Sequence, residues 1–351
     1  MRVGLRTCCL MGVAVTGSHC LMAQHVELTY TAEMQTDFRE NGYNWVNLLR
    51  AEGAWNLGKG VGFHVASISI AKTREERLAN DLQTFSNIEE DNLPLSLAVL
   101  GVEWKVGRSV FFGGIRNVNE DYFTSPVTSL FTNSSCGIFP TLSVNFPLAN
   151  YPMSSVCVDY KLELDKWMWE TSVYNGVGYK AWSGRENMFR FCPGEDGIMG
   201  VTSVNYQSNS GNGYYMGAAL RYGLPVVDEM GNPEQEGKTV EKEVKAVVWG
   251  YTEQKLGNRV SLLCQGSVAP SRDWGCRSYA GGGLVFHGNN DRWTGGVFVD
   301  YADFTDAYEW AGELTCRIPC LKKGYVQPTL HVIVNSRERN LIGLLRLGYE
   351  I

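Results

Sequence analysis

Few residues in this chain are spaced for chemistry. His25, His64, His287 and His331 are scattered, without the short spacing that gathers ligands around one metal ion. Glu89-Glu90-Asp91 puts carboxylates side by side, but within a charge run that reads as a solvated loop, not as a glycosidase acid–base pair. The segment from Gly231 to Thr239 resembles a phosphate-binding loop with one residue too many between its glycines. Its two glutamates would repel phosphate, so it reads as an acidic hairpin loop. Nucleophile-elbow, zinc-protease and dinucleotide-binding spacings do not occur. The sequence therefore predicts no enzyme, no cofactor and no metal.

Cysteine use depends on whether the start of the chain is retained. Arg2 and Arg6 precede an uncharged stretch from Thr7 to Gln24 with an apolar centre at Leu10–Val15, and Ala23 supplies a small residue before Gln24. That pattern predicts a secretory signal over residues 1–23, cleaved before Gln24. Cys20 invites lipid attachment, but His19 beside it fits such a site badly. Removal of the leader leaves Cys136, Cys157, Cys192, Cys264, Cys276, Cys316 and Cys320. The number is odd, so at least one thiol is free or pairs between chains. Cys264 and Cys276 flank a loop and could be bridged, while Cys316 and Cys320 read as small apolar residues of a strand surface.

The elements that would carry any site are strands. The 351 residues include 39 Gly, 17 Tyr, 14 Phe and 10 Trp, a bias toward short strands and turns. With 37 acidic residues against 31 basic and no basic block, the chain is a poor nucleic-acid binder. Val26, Leu28, Tyr30, Ala32 and Met34 alternate strictly with Glu27, Thr29, Thr31, Glu33 and Gln35. Val156 to Leu164 and Tyr214 to Gly223 repeat the pattern. Noisier stretches cover 61–71, 95–106, 110–117, 167–175, 201–207, 240–251, 260–268, 279–287, 295–302, 310–318 and 325–335. The chain closes on Leu345, Leu347, Tyr349 and Ile351 opposite Arg346, Gly348 and Glu350. No amphipathic helix interrupts the series. The segment 73–92 is the best local candidate for a short helix or a polar loop. This gives about 14 to 16 strands, the scale of a large β-sandwich or a transmembrane barrel.

Face composition separates those two. The polar faces are rich in Gly rather than Lys and Glu, and Tyr or Trp often bounds the apolar sets, which favours an all-β transmembrane antiparallel barrel of about 16 strands. One segment breaks the rhythm: Tyr122 to Val158 carries no charge, is punctuated by Pro126, Pro140, Pro147 and Pro152, and is rich in aromatics. Such a loop would be poorly soluble hanging free, so it is expected to fold into the barrel and narrow it; packing on neighbouring loops is the alternative.

Several blocks carry a family resemblance. Ile115-Arg-Asn-Val-Asn-Glu-Asp-Tyr-Phe123, Phe131-Thr-Asn-Ser-Ser-Cys-Gly137, Pro140-Thr-Leu-Ser143 and Asn150-Tyr-Pro152 follow in order, then Val173–Gly176, Asn290–Gly296, Glu309–Leu314 and Val326–Pro328. The order resembles the carbohydrate-selective OprB-type porins over roughly residues 110–351. Cys136 stands where an aromatic is commoner. The resemblance implies a sixteen-stranded barrel in the outer membrane that passes small sugars by diffusion, with residues 122–158 as the constriction, and it leaves monomer and homotrimer open. A neutral sugar needs hydrogen-bonding groups beside aromatic faces, bound weakly enough to leave. The polar-face candidates are Arg116, Arg221, Glu313 and Arg317, then Glu103 and Glu163, with Tyr122 and Phe123 as stacking rings. Each charge could equally serve lumen solvation or a wall salt bridge. The reading from another class is an exported, soluble, β-rich carbohydrate-binding protein.

Overall fold

The computed structural model describes residues 25–40, 42–223, 242–270, 275–289, 292–320 and 322–351. The expected leader at 1–23 and the acidic loop at 231–239 lie outside these residues. Sixteen strands are present: β1 (His25–Asp37), β2 (Gly42–Gly58), β3 (Val61–Lys72), β4 (Leu93–Val106), β5 (Ser109–Arg116), β6 (Ser155–Glu163), β7 (Trp167–Asn175) and β8 (Ile198–Gln207) form the first half. The second half comprises β9 (Gly213–Gly223), β10 (Glu243–Lys255), β11 (Val260–Val268), β12 (Cys276–His287), β13 (Thr294–Phe304), β14 (Tyr308–Cys320), β15 (Gly324–Asn335) and β16 (Arg339–Glu350). Each strand pairs antiparallel with its sequence neighbours, and β16 pairs with β1 from Thr29–Glu350 to Asp37–Ile342, closing the barrel. Closure leaves no open edge.

Turns at one end are tight. Lys59-Gly60 joins β2 to β3, and Gly107-Arg108 joins β4 to β5. Gly60 has φ +78°, and a Cβ there would lie 2.4 Å from the Lys105 carbonyl oxygen, so only glycine fits. His25 and Ile351 lie at this same end. The long connections 73–92, 117–154 and 176–197 all lie at the other.

Register confirms the alternation. Val65, Leu100, Ile115 and Val156 form one cross-strand row on the outside, while Ala66, Val99, Arg116 and Ser155 form a row inside. The outer face is apolar and bounded by aromatics. At the turn end, Trp104, Phe111, Tyr160 and Trp169 run as successive ring contacts with centroids 5.1–6.0 Å apart. At the loop end stand Tyr43, Trp45, Tyr222, Tyr308 and Trp310, all exposed. This is the surface of a transmembrane barrel.

The interior is packed rather than empty. Within the connection 117–154, three 3₁₀ turns and the short helix α1 (Pro140–Ser143) turn inward. Phe123, Phe131, Phe139 and Leu142 pack there against wall residues Trp249, Tyr279 and Phe298. The inner faces of β8–β13 are correspondingly less polar than a wetted lumen, because the loop covers them. A Cβ on Gly296 would come within 2.8 Å of the Phe131 ring, so the missing side chain is the seat for that ring. The connection ends at Ser154, and residues 155–158 belong to β6.

Three sequence expectations change. The segment 73–92 forms no helix; it too folds inward, burying Leu78, Ala79 and Phe85 against Ile333, Ile342 and Leu344. Strand β2 gave no alternation signal, because inward Val46 and Leu48 meet the folded-in loops while outward Asn47 is polar and accepts from Tyr30 and Trp45. All seven described cysteines are free. Cys264 points outward opposite Gly282, whereas Cys276 is buried on the inner side, so the two thiols face away from each other.

Candidate functional site

Inward-pointing carboxylates of the wall hold the two folded-in loops by their backbones. Glu313 on β14 accepts from the Thr132 and Asn133 amides at 2.8 and 3.0 Å and from the Thr132 hydroxyl at 3.1 Å. Glu253 on β10 accepts from the Val127 and Thr128 amides at 2.8 and 3.3 Å and from the Ser125 hydroxyl. Glu309 takes the Leu82 and Gln83 amides at 2.7 and 3.0 Å, and Asp300 takes the side-chain amides of Gln83 and Asn133. On β1, Glu33 accepts from Ser86 at 2.6 Å and pairs with Arg346. Irregular backbone buried in a barrel must find acceptors somewhere, and these carboxylates supply them.

Charges with the opposite arrangement meet on the side spanned by β2 and β5–β7. Here the loop brings acids and the wall brings cations. Arg50 donates to both carboxylate oxygens of Glu120 at 2.8 Å each, and also pairs with Glu52. Asp121 is shared between Arg116 at 2.8 Å and Lys161 at 3.2 Å, and Lys161 also reaches Glu170 at 3.1 Å. The Arg116 guanidinium lies 4.4 Å from the centroid of the Phe112 ring. Part of this lattice keeps contact with solvent: side-chain exposure is 23% for Arg50, 39% for Glu52, 17% for Glu120, 16% for Arg116 and 21% for Lys161, while Asp121 and Glu170 are as buried as the clasping carboxylates. Alternating fixed charges that stay partly wet can exchange hydrogen bonds with a passing hydroxylated solute without holding it tightly.

The eight residues singled out from sequence fall into three places. Arg116 joins the wet charge lattice. Glu103 is half-buried on the inner face opposite Gly62 and Phe112, and Glu163 pairs with Lys105 at 2.9 Å near the turn end. The other five tie loops down. Glu313 is a clasp; Arg317 donates to the Ser129 carbonyl at 2.8 Å and stacks 4.6 Å from the centre of the Tyr325 ring. Arg221 donates to the carbonyls of Gly176 and Asp196, fixing the ends of the 176–197 connection. Tyr122 is buried, its hydroxyl donating to the Val201 carbonyl at 3.2 Å and lying 2.7 Å from that of Ser172. Burial raises its phenol, which stays neutral. Phe123 is buried between Phe139 and Trp249. Neither ring presents a face to the lumen.

Arg50, Glu120, Asp121 and Lys161 were not singled out. Glu120 and Asp121 stood in the sequence block quoted for the family resemblance, and Lys161 on an alternating polar face; Arg50 lay on the strand that periodicity did not reveal. Two loop acids are also perturbed. Burial raises Asp81 against the pull of Arg77, and burial pushes Glu89 up to about 7, with both its carboxyl oxygens lacking a hydrogen-bond partner among the described residues.

No family model matches the chain, and no curated protein matches it by sequence. Solved structures do match. OprB of Pseudomonas putida, solved at high pH, is 15% identical with a TM-score of 0.77, covering 93% of this chain and 94% of that one. The outer-membrane protein OmpT of Vibrio cholerae in its trimer form gives 0.59 at 9% identity, over 93% and 98% of the two chains. OpdK of Pseudomonas aeruginosa, solved with vanillate, gives 0.52 at 12% identity over 93% and 98%. At these identities the likeness is one of fold.

Proposed function

We propose that the chain is an outer-membrane porin through which small neutral carbohydrates diffuse, and that it acts as a channel and not as an enzyme. The observation that carries this reading is the wet lattice of Arg50, Glu52, Glu120, Arg116 and Lys161 beside a loop that fills much of the rest of the bore. A solute threading the remaining gap meets donors and acceptors in alternation, which suits a sugar's hydroxyls better than a bare ion of either sign. The resemblance of the 115–152 block to carbohydrate-selective porins and the barrel shared with OprB support the same reading. Glu103 and Glu163 extend the polar track toward the turn end, while Glu313, Arg317, Arg221, Tyr122 and Phe123 shape the gap by fixing loops.

Residues 1–23 act in this scheme as the export signal, and the apolar outer face sits in lipid. A trimer is one assembly the barrel could adopt, as OmpT does in its trimer form. The exposed girdles of Trp and Tyr weigh against the soluble sugar-binding alternative, since water has no use for them. Liposome swelling with purified protein tests the proposal, using sugars of increasing size against polyols of matched size. Faster entry of particular sugars supports it. Size-only entry leaves a channel without carbohydrate preference, and no entry from inserted protein refutes the channel.

A further inference from the structure

The 176–197 connection does not follow its two inward-folded neighbours. It crosses the rim through reciprocal backbone bonds between Ser154 and Tyr179 and then lies on the outside of the barrel. Met188 is fully buried there against Leu97 and Ile115, with Val65, Leu100 and Val156 packed around it. These are outward residues of β3–β6, the surface that elsewhere faces lipid. The strap is tied down: the Met188 amide donates to the Ala181 carbonyl at 2.9 Å, the Trp182 indole to the Leu95 carbonyl at 2.8 Å, and Arg190 pairs with Glu195 and Asp196.

Its own outward face is aromatic. Trp182, Phe189 and Phe191 are 42%, 45% and 62% exposed, and the first two rings stand 6.3 Å apart. Their position fills a gap. At the loop end outward aromatics stand on β2, β9 and β13–β14, whereas the outward residues of β3–β8 there are Ala71, Leu95, Ile115, Val156, Val173 and Ile198, and β10–β12 and β15–β16 likewise carry no outward ring there among the described residues. We infer that the 176–197 strap supplies the loop-end girdle over β3–β6, placing Trp182, Phe189 and Phe191 in the boundary layer of the surrounding lipid. Lipid is the occupant the chemistry favours. The strap's apolar face is continuous with the apolar outer wall, the indole N–H is already satisfied, and its arginines Arg185 and Arg190 are both paired with Glu195, so the strap offers rings and no free cation. A sugar-landing role would place these rings over the bore, and they lie outside it.

This inference rests on the barrel being membrane-embedded. The test is cross-linking by phospholipid carrying a photoreactive group in its acyl chain, with the full protein in phosphatidylcholine vesicles and adducts mapped by mass spectrometry. Adducts on Trp182, Phe189 or Phe191 at yields within a fewfold of outward Val158 and Val173 are expected. Adducts on those strand residues with none on the strap overturn it. Adducts on neither remove the membrane reading itself. Strap labelling that falls several-fold as protein-to-lipid ratio rises tenfold, with strand labelling constant, assigns the face to a second copy and overturns the inference. Met188→Ser should raise labelling of Ile115 and Val65 several-fold; unchanged labelling there refutes the strap's seat on the wall.

Discussion

Removing the clasps on residues 125–133 should widen the pore in a sharply non-additive way. Glu313→Ala strands the amides of Thr132 and Asn133, and Glu253→Ala strands those of Val127 and Thr128, while the Thr132 and Ser125 hydroxyls keep His331 and Thr128 as partners. A buried donor left unpaired costs about 1–3 kcal/mol, so the two amides of each clasp come to about 2–6 kcal/mol. Against this stands the burial of Phe123, Leu130 and Phe131, worth about 1.5–3 kcal/mol each, or roughly 5–9 kcal/mol together. One lost clasp therefore leaves the segment docked, and two bring docked and released forms close to balance. Planar-bilayer recording reads this directly. Either single variant should keep near-normal conductance, while the double variant should show larger, noisier openings and admit larger sugars in swelling assays. The sixteen-strand ladder is untouched, so the barrel still resists detergent and heat. A folded double variant with unchanged conductance and size limit would refute the idea that this segment sets the bore.

Three further outcomes follow from the same geometry. Glu120→Gln removes one negative charge beside Arg50, which keeps Glu52; an anion about 5 Å away in a water-like medium then gains about 0.8 kcal/mol and a cation loses as much, so the anion-to-cation permeability ratio from reversal potentials should rise about fifteenfold. No shift would mean that ions do not pass beside Arg50. Glu89, with its folded value raised from 4.5 to about 7, binds a proton in the folded loop that the unfolded chain has lost, so this group's contribution falls as pH rises from about 4.5 to 7 and stays low above it. Glu89→Gln should then raise the unfolding free energy at pH 8, by up to about 3 kcal/mol, and leave it unchanged at pH 4; equal effects at both pH values would count against the burial argument. Gly60→Val, forced into a left-handed backbone beside the Lys105 carbonyl, should cost at least about 2 kcal/mol in urea unfolding from bilayers. Full stability would contradict that turn.

Alternation revealed which residues point inward but not which of those stay wet. Glu313 and Arg116 both sit on polar faces of period two, and nothing local distinguishes them. The difference is made by 117–154: its Thr132 and Asn133 cover Glu313, whereas its Glu120 and Asp121 pair with Arg50, Arg116 and Lys161 and leave those cations partly exposed. The absence of charge over 122–158 made the inward fold of that loop legible, because so apolar a loop cannot be solvated. The same test fails for 73–92, which is highly charged and yet folds inward. Its Arg77 and Asp81 satisfy each other, and its Leu82 and Gln83 amides turn to Glu309, more than two hundred residues away in sequence. Coverage is a long-range property. A period-two reading therefore locates a lumen wall, and only the path of the connecting loops decides which part of that wall a solute can touch.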